Sequence, residues 1–390
     1  MTPLRPLLLA CVGALALAWP ASAATQRDDS DSEAQLRQRA DATRAEAITH
    51  LRAVLRGGAL GDDPAVRAEA MFRLADLLLD EAESVAQREM EEFDRRWLAW
   101  EDGGREGEEP TLDPAGSDAL RLDAVRTLQE GLRMAPDHRR AGEARFLAGQ
   151  ESLRTGDVEG ALRWFGDVVR LTPEGPWVPE ALLAQAEVWL ERENPYRALP
   201  LLRRVADLET ALQSWARARL SWALFAVGDL PGALDTVVAS LRGELDPADR
   251  DATRGLLLRY LAETDDVERA RALLDELVPP PMLAEASETL VRGWEERGAG
   301  ELALTLLADL AATPEADRFG AVWLSRMVRL HRDADRFEAA DAGMQRLLRT
   351  YGPGSAWAAE HPDRAAEATD VCERAQRELA VALHRAALGR

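Results

Sequence analysis

A seven-residue pattern recurs along this chain at a nearly constant interval, and an internally repeated chain has far fewer folds open to it than an unrepeated one. Gly156-Asp157-Val158-Glu159-Gly160-Ala161-Leu162 returns 72 residues later as Gly228-Asp229-Leu230-Pro231-Gly232-Ala233-Leu234. A degenerate copy, Glu193-Asn194-Pro195-Tyr196-Arg197-Ala198-Leu199, lies halfway between them. With three further copies, the closing alanines fall at Ala161, Ala198, Ala233, Ala270, Ala303 and Ala339, spaced by 37, 35, 37, 33 and 36 residues. A unit of that length cannot bury its own apolar face, so neighbouring units must stack into an array. Alanine, leucine, arginine and glutamate fill most positions, against three tyrosines and the single isoleucine Ile48. Those are helix formers, with few of the β-branched and aromatic residues that suit a pleated sheet. Each unit is therefore expected to be a pair of helices.

The period and the residues around it resemble the tetratricopeptide repeat (TPR), an antiparallel helix pair of about 34 residues. The best copy spans residues 142–174, where Gly149, Gly156, Ala161, Phe165 and Pro173 hold the spacing of that repeat together. Gly149 stands at a close helix approach, Gly156 at the turn and Ala161 at the tight crossing of the second helix; Phe165 fills the gap one turn later and Pro173 ends the helix. Ala198, Gly228, Ala233, Ala270, Ala303 and Ala339 carry the signature through the later copies. The early aromatic positions depart from the pattern, being Arg145 and Ser152 in the best copy, whereas Trp323 occupies the first of them near Gly320. The resemblance covers residues 118–352. It implies an all-α, right-handed α-solenoid of about seven TPR-like antiparallel helix pairs, with a groove of the kind that binds extended peptides.

Outside the array the chain reads as follows. Residues 1–23 look like a secretory signal: Arg5, the apolar stretch from Leu7 to Ala18, then Pro20 before the small-residue site Ala21-Ser22-Ala23. Cleavage there places the mature protein in the periplasm or outside the cell, with no segment left to insert in a membrane. Leu8-Leu9-Ala10-Cys11 resembles a lipoprotein processing box, but only five residues separate Arg5 from Cys11 and the apolar run continues past it. Residues 24–32 form a polar tail expected to be disordered. Residues 33–116 hold a helix over 33–56, a long helix over 65–100 without proline or glycine, and an acidic glycine-rich loop over 101–116. The array takes 117–352, and 353–390 are a linker and a last helix. Short segments at the two ends, Arg44 to Ile48, Ala68 to Asp76 with Phe93-Asp94-Arg95, and Gln376 to Ala380 with His384, resemble periplasmic TPR proteins of bacterial gliding-motility machinery.

Chemistry is narrowed by what is missing. All 48 basic residues are arginine, against 69 acidic ones, for a net charge of −21. Without lysine there is no Walker-type phosphate loop, no pyridoxal Schiff base and no serine–lysine dyad. The acidic balance also argues against nucleic acid, which needs concentrated positive charge. His50, His138, His331, His361 and His384 never form the i, i+4 pair of a helical zinc site, and no calcium loop, nucleophile elbow or cofactor motif occurs. No metal or cofactor is expected, and no enzymatic activity. Acidic pairs such as Asp265-Asp266 and Glu295-Glu296 alternate with arginine as a solvated helix face does. Cys372, alone after signal cleavage, reads as a small buried core residue.

Tryptophan is the informative aromatic. Trp215 and Trp222 are two helical turns apart on one face, with Phe225 three residues on. By the offset of the repeat, that face is the groove, although packing between helices is the alternative use of the same rings. Glu180 and Glu187 fall on one side of the aromatics and Arg259 and Arg292 on the other, with Glu143, Gln150, Glu288 and Glu295 at equivalent positions. An aromatic centre with an acidic flank suits a peptide carrying basic residues. The expected function is an exported scaffold for protein–protein interaction within a cell-envelope complex, with a motility apparatus the one that the end-segment resemblance implies. The alternatives are an accessory factor in outer-membrane assembly or cell-wall maintenance, and a glycan-active enzyme of the cell wall.

Overall fold

The glycine–aspartate dipeptide of the repeat does two jobs one residue apart. Gly228 sits at φ 85 and Gly156 at φ 83, the left-handed conformation that ends a helix and that glycine adopts without a Cβ clash. The next residue starts the following helix: the Asp229 carboxylate accepts the Gly232 N–H at 3.0 Å. Between them the chain reverses, and the Asp229 N–H reaches back to the Leu224 carbonyl at 2.9 Å. The degenerate copies keep this geometry with other side chains. Glu193 takes φ 55 and Asp335 φ 57, while Gly298 takes φ 75. Asn194, Ala299 and Arg336 donate to the carbonyls five residues earlier at 2.8, 2.7 and 2.8 Å.

The computed structural model describes residues 29–388, and the signal segment 1–23, with residues 24–28 of the tail, lies outside them. Every element among the described residues is helical, and none of the helices is long and apolar enough to cross a membrane. The chain divides into two units, residues 1–157 and 158–390.

The first unit contains α1 (Asp29–Arg56), α2 (Pro64–Asp102), α3 (Ala115–Met134) and α4 (Ala141–Arg154). Helix α1 takes in residues 29–32, part of the stretch read as a tail. Asp63 caps α2 through the Ala65 N–H, and Pro64 fills the first helical position, where no N–H is needed. Phe72, Leu78, Ala124 and Leu128 make the core where α2 meets α3. The Phe72 ring also lies edge-on to His138, at 5.2 Å between centroids. Arg140 grips Asp76 with two hydrogen bonds of 3.0 Å and also Glu143, tying the start of α4 to α2.

The second unit begins with α5 (Val158–Leu171) and continues as antiparallel pairs. These are α6 (Val178–Glu191) with α7 (Pro195–Ala206), and α8 (Gln213–Ala226) with α9 (Leu230–Leu241). Next come α10 (Pro247–Ala262) with α11 (Val267–Leu277), α12 (Leu283–Glu296) with α13 (Gly300–Leu310), and α14 (Ala316–Asp333) with α15 (Phe337–Tyr351). A short α16 (Ala356–Glu360), which the sequence reading does not anticipate, leads to α17 (Ala365–Ala387). Most helices pack on their chain neighbours, but α10 meets α12 rather than α11, and α11 meets α12 and α13; the first helices of successive pairs also meet, α8 on α10, α10 on α12 and α12 on α14. The second unit is thus an all-α array of TPR-like helix pairs.

Large buried aromatics tie helices together, two of them between successive pairs and Tyr351 within the pair of α14 and α15. The Trp294 indole donates to the Thr264 carbonyl at 2.8 Å, Trp323 to the Ser287 hydroxyl at 3.0 Å, and the Tyr351 hydroxyl to the Ala316 carbonyl at 2.7 Å. Ala161, Ala198, Ala233, Ala270 and Ala303 are all at 0% exposure, as a tight crossing requires. In the last copy the register moves by one. Counting five residues from the left-handed turn residue Asp335 reaches Ala340, which is at 0% exposure, whereas Ala339 is half-buried. The crossing residue there is Ala340 rather than Ala339. Gly149 is buried in α4, and Pro173 follows the end of α5 in an exposed turn. Cys372 packs at 1% exposure with Leu324, Val328 and Met344, and burial pushes its thiol up.

Candidate binding groove

The residues named for the groove lie on the first helices of successive pairs: Glu180 and Glu187 on α6, Trp215, Trp222 and Phe225 on α8, Arg259 on α10 and Arg292 on α12. Trp215, Trp222 and Phe225 are half-buried, and Arg259 and Arg292 are exposed. The aromatic rings are not bare. The Arg219 guanidinium lies 4.9 Å from the centre of the Trp215 ring, and that of Arg259 lies 5.0 Å from Phe225. On its other side Phe225 stacks on the buried Tyr260 at 4.8 Å. The aromatics therefore serve both uses: Phe225 helps to pack α8 on α10, and an arginine layer covers what remains. The sequence reading does not single out Arg219 or Tyr260, although Arg219 lies one helical turn from Trp215 and Tyr260 directly follows Arg259.

The two glutamates differ. Glu187 faces Arg219 at 3.0 Å, but neither Glu187 Oε1 nor Arg219 Nε makes a hydrogen bond, so charge attraction acts there without alignment. Burial outweighs that attraction and pushes the Glu187 carboxyl above the usual glutamate range. Glu180 is raised by burial too, has no arginine against it, and its Oε2 is buried without a hydrogen-bond partner.

Toward the end of the array the groove becomes ionic. Arg326 of α14, 7% exposed, lies between Glu288 and Glu295 of α12, and Arg329 also approaches Glu288 at 3.5 Å. A cavity of about 430 Å³ follows between α12, α14 and α17, with Val322, Arg329, Asp370, Val371 and Arg374 on its walls. Among the described residues there is no cluster of three or more candidate metal ligands.

One electrostatic rule runs through the second unit. Arg192 pairs with Glu159, Arg269 with Asp235, Arg242 with Glu276 and Arg297 with Asp265, at sequence separations of 33, 34, 34 and 32. The partner is one repeat away. Most of these groups are exposed, so solvent screening makes them weak as sources of stability and better suited to setting register. Read from sequence alone, alternating charges look like pairs within one helix; the period of the array carries many of them to its neighbour instead.

No family model matches the chain, and no curated protein matches it. Among solved structures it is similar to MamA, at 17% identity over 46% of this chain and 94% of that one, with a TM-score of 0.35. It is also similar to YrrB, described as a TPR protein with an unusual peptide-binding site, at 19% identity over 49% of this chain and 84% of that one, TM-score 0.33. A third is a tetratricopeptide repeat protein from Parabacteroides merdae, at 12% identity over 73% of this chain and 99% of that one, TM-score 0.35. The class of fold is carried by this chain's own geometry: helix pairs recurring at the repeat period, with small residues at each crossing.

Proposed function

We propose that this chain is an exported, non-enzymatic scaffold that holds other proteins through the groove of its second unit. The observation that carries this reading is Glu180, a half-buried carboxylate with an unsatisfied oxygen, on a groove that continues through Trp215, Trp222 and Phe225. A lysine or arginine of an extended peptide would satisfy that oxygen and lay its aliphatic stem on the half-buried rings. YrrB's description as a protein with a peptide-binding site is in keeping with this use. The sequence supports export through residues 1–23 and a place in a cell-envelope complex, with gliding motility the particular apparatus that the end segments resemble.

The test joins the two halves. Cells expressing the full chain are cross-linked, the captured partners are identified, and the mature N-terminus is sequenced. Cleavage after Ala23 and loss of envelope partners in a folded Trp222→Ala variant support the proposal. A retained Met1 overturns export, and capture unaltered by Trp222→Ala overturns the groove.

A further inference from the structure

The outer half of α2 is used neither by the core of the first unit nor by the groove. The buried residues of this helix end at Ala82, yet it runs on to Asp102. Met90, Phe93, Trp97 and Trp100 follow at spacings that align them along one face. Their rings touch in series, at 5.8 Å from Phe93 to Trp97 and 5.4 Å from Trp97 to Trp100. Met90 is 45% exposed and the adjacent Leu98 58%. Phe93, Trp97 and Trp100 are half-buried, so the stripe is only partly covered, a cost that soluble surfaces ordinarily avoid.

Among the described residues, the following loop lies against part of it. Arg96 donates to the Thr111 carbonyl at 3.1 Å, and the Arg105 guanidinium lies 5.9 Å from the centre of the Trp100 ring. That strap is held under strain: Arg105 adopts φ 61, a left-handed conformation unfavourable for arginine, between Gly104 at φ 79 and Gly107 at φ 90. Beneath it the Trp100 indole N–H is buried and donates to nothing. The surroundings are acidic, with nine carboxylates and three arginines between Glu91 and Asp113.

We infer that this stripe is a docking surface for a cationic amphipathic helix of a partner protein, which displaces the strap. The apolar side of that helix covers Met90, Trp97 and Leu98. Its lysines or arginines replace Arg105 over Trp100 and meet Glu106, Glu108 and Glu109, while its backbone or side chains give the indole N–H an acceptor. The net charge of the region selects this occupant. An anionic membrane surface and a second copy of the same region would both be repelled by it. The site lies in the first unit and the proposed groove in the second, on different residues, so either can fail alone.

The full-length protein is titrated with a labelled leucine–lysine amphipathic peptide and with its leucine–glutamate counterpart, followed by fluorescence anisotropy. The titrations are made on protein carrying Trp222→Ala, so that the proposed groove does not contribute; there the lysine peptide is expected to bind, and adding Met90→Ser/Leu98→Ser to weaken it by about tenfold or more. Both substituted side chains are exposed, so an unchanged circular dichroism spectrum confirms folding. Glu108→Gln/Glu109→Gln should weaken binding as well. No binding of the lysine peptide in that background, equal affinity after Met90→Ser/Leu98→Ser, or preference for the glutamate peptide overturns the inference. So does binding to phosphatidylglycerol vesicles in place of the peptide, or an oligomer in sedimentation that the double variant dissociates.

Discussion

Two glycines of the second unit should respond to the same substitution with opposite signs. Gly293, on α12, approaches α10 so closely that a Cβ added there would stand 2.5 Å from the Ala262 Cβ. Carbon atoms in contact settle near 3.5–4.0 Å, so the two helices would have to separate by about 1 Å. A methyl group on a helix backbone cannot swing aside. Overpacking of this kind costs about 1–3 kcal/mol, and the better helix propensity of alanine returns about 1 kcal/mol, leaving a net loss of about 0–2 kcal/mol for Gly293→Ala. Gly255, in the middle of α10, has nothing within 4 Å of the same added atom. There only the propensity remains, and Gly255→Ala should gain about 0.5–1 kcal/mol. Urea unfolding of the two variants beside the parent measures this directly, with the midpoint of the first transition as readout because repeat arrays need not unfold in one step. Midpoints that move the same way in both variants would refute the close approach of α10 and α12.

Two further outcomes test the register and the electrostatics. Ala340→Leu should destabilise by about 1–3 kcal/mol through overpacking, and Ala339→Leu by no more than about 0.5 kcal/mol, in the same urea assay; the reverse order would place the crossing at Ala339. Glu187 is held above the ordinary glutamate value by burial, so the folded state binds its proton more tightly than the unfolded state and stability falls as pH rises through the raised value. Glu187→Gln should therefore melt higher than the parent at pH 7, with the difference vanishing as pH drops below about 4.3. A Glu187→Gln variant that melts lower than the parent at pH 7 would show that the Arg219 attraction, rather than burial, governs this carboxylate.

Much of the local structure was legible in the residues, and the particular cases show why. Gly228-Asp229 could be read as a turn because the left-handed conformation and the helix cap are properties of those two residues and of the few that follow them. Glu193 and Asp335 hold the same turn with less suitable side chains, and only the flanking repeats hold them there. Ala339 was misplaced by one position for a related reason: two adjacent alanines are alike in sequence, and the turn geometry of Asp335 decides between them. At the groove, the residue types and their face were readable, but the partners were not. Arg219 covers Trp215 from one helical turn away, while Arg326 reaches Glu295 across a repeat, a contact that depends on how far successive helices are offset.

The sequence by itself determined the helical class and the repeat period, because both follow from local conformational preference and from the recurrence of small side chains. The tertiary structure decided which charges meet, which aromatics are covered, and which apolar stripe is left without a core to join. Those depend on the register and spacing between elements distant in the chain, and burial is a property of neighbours rather than of residue type. The same arginine that looks like a solvated helix-face charge becomes, in place, a lid over tryptophan or the bond between two repeats.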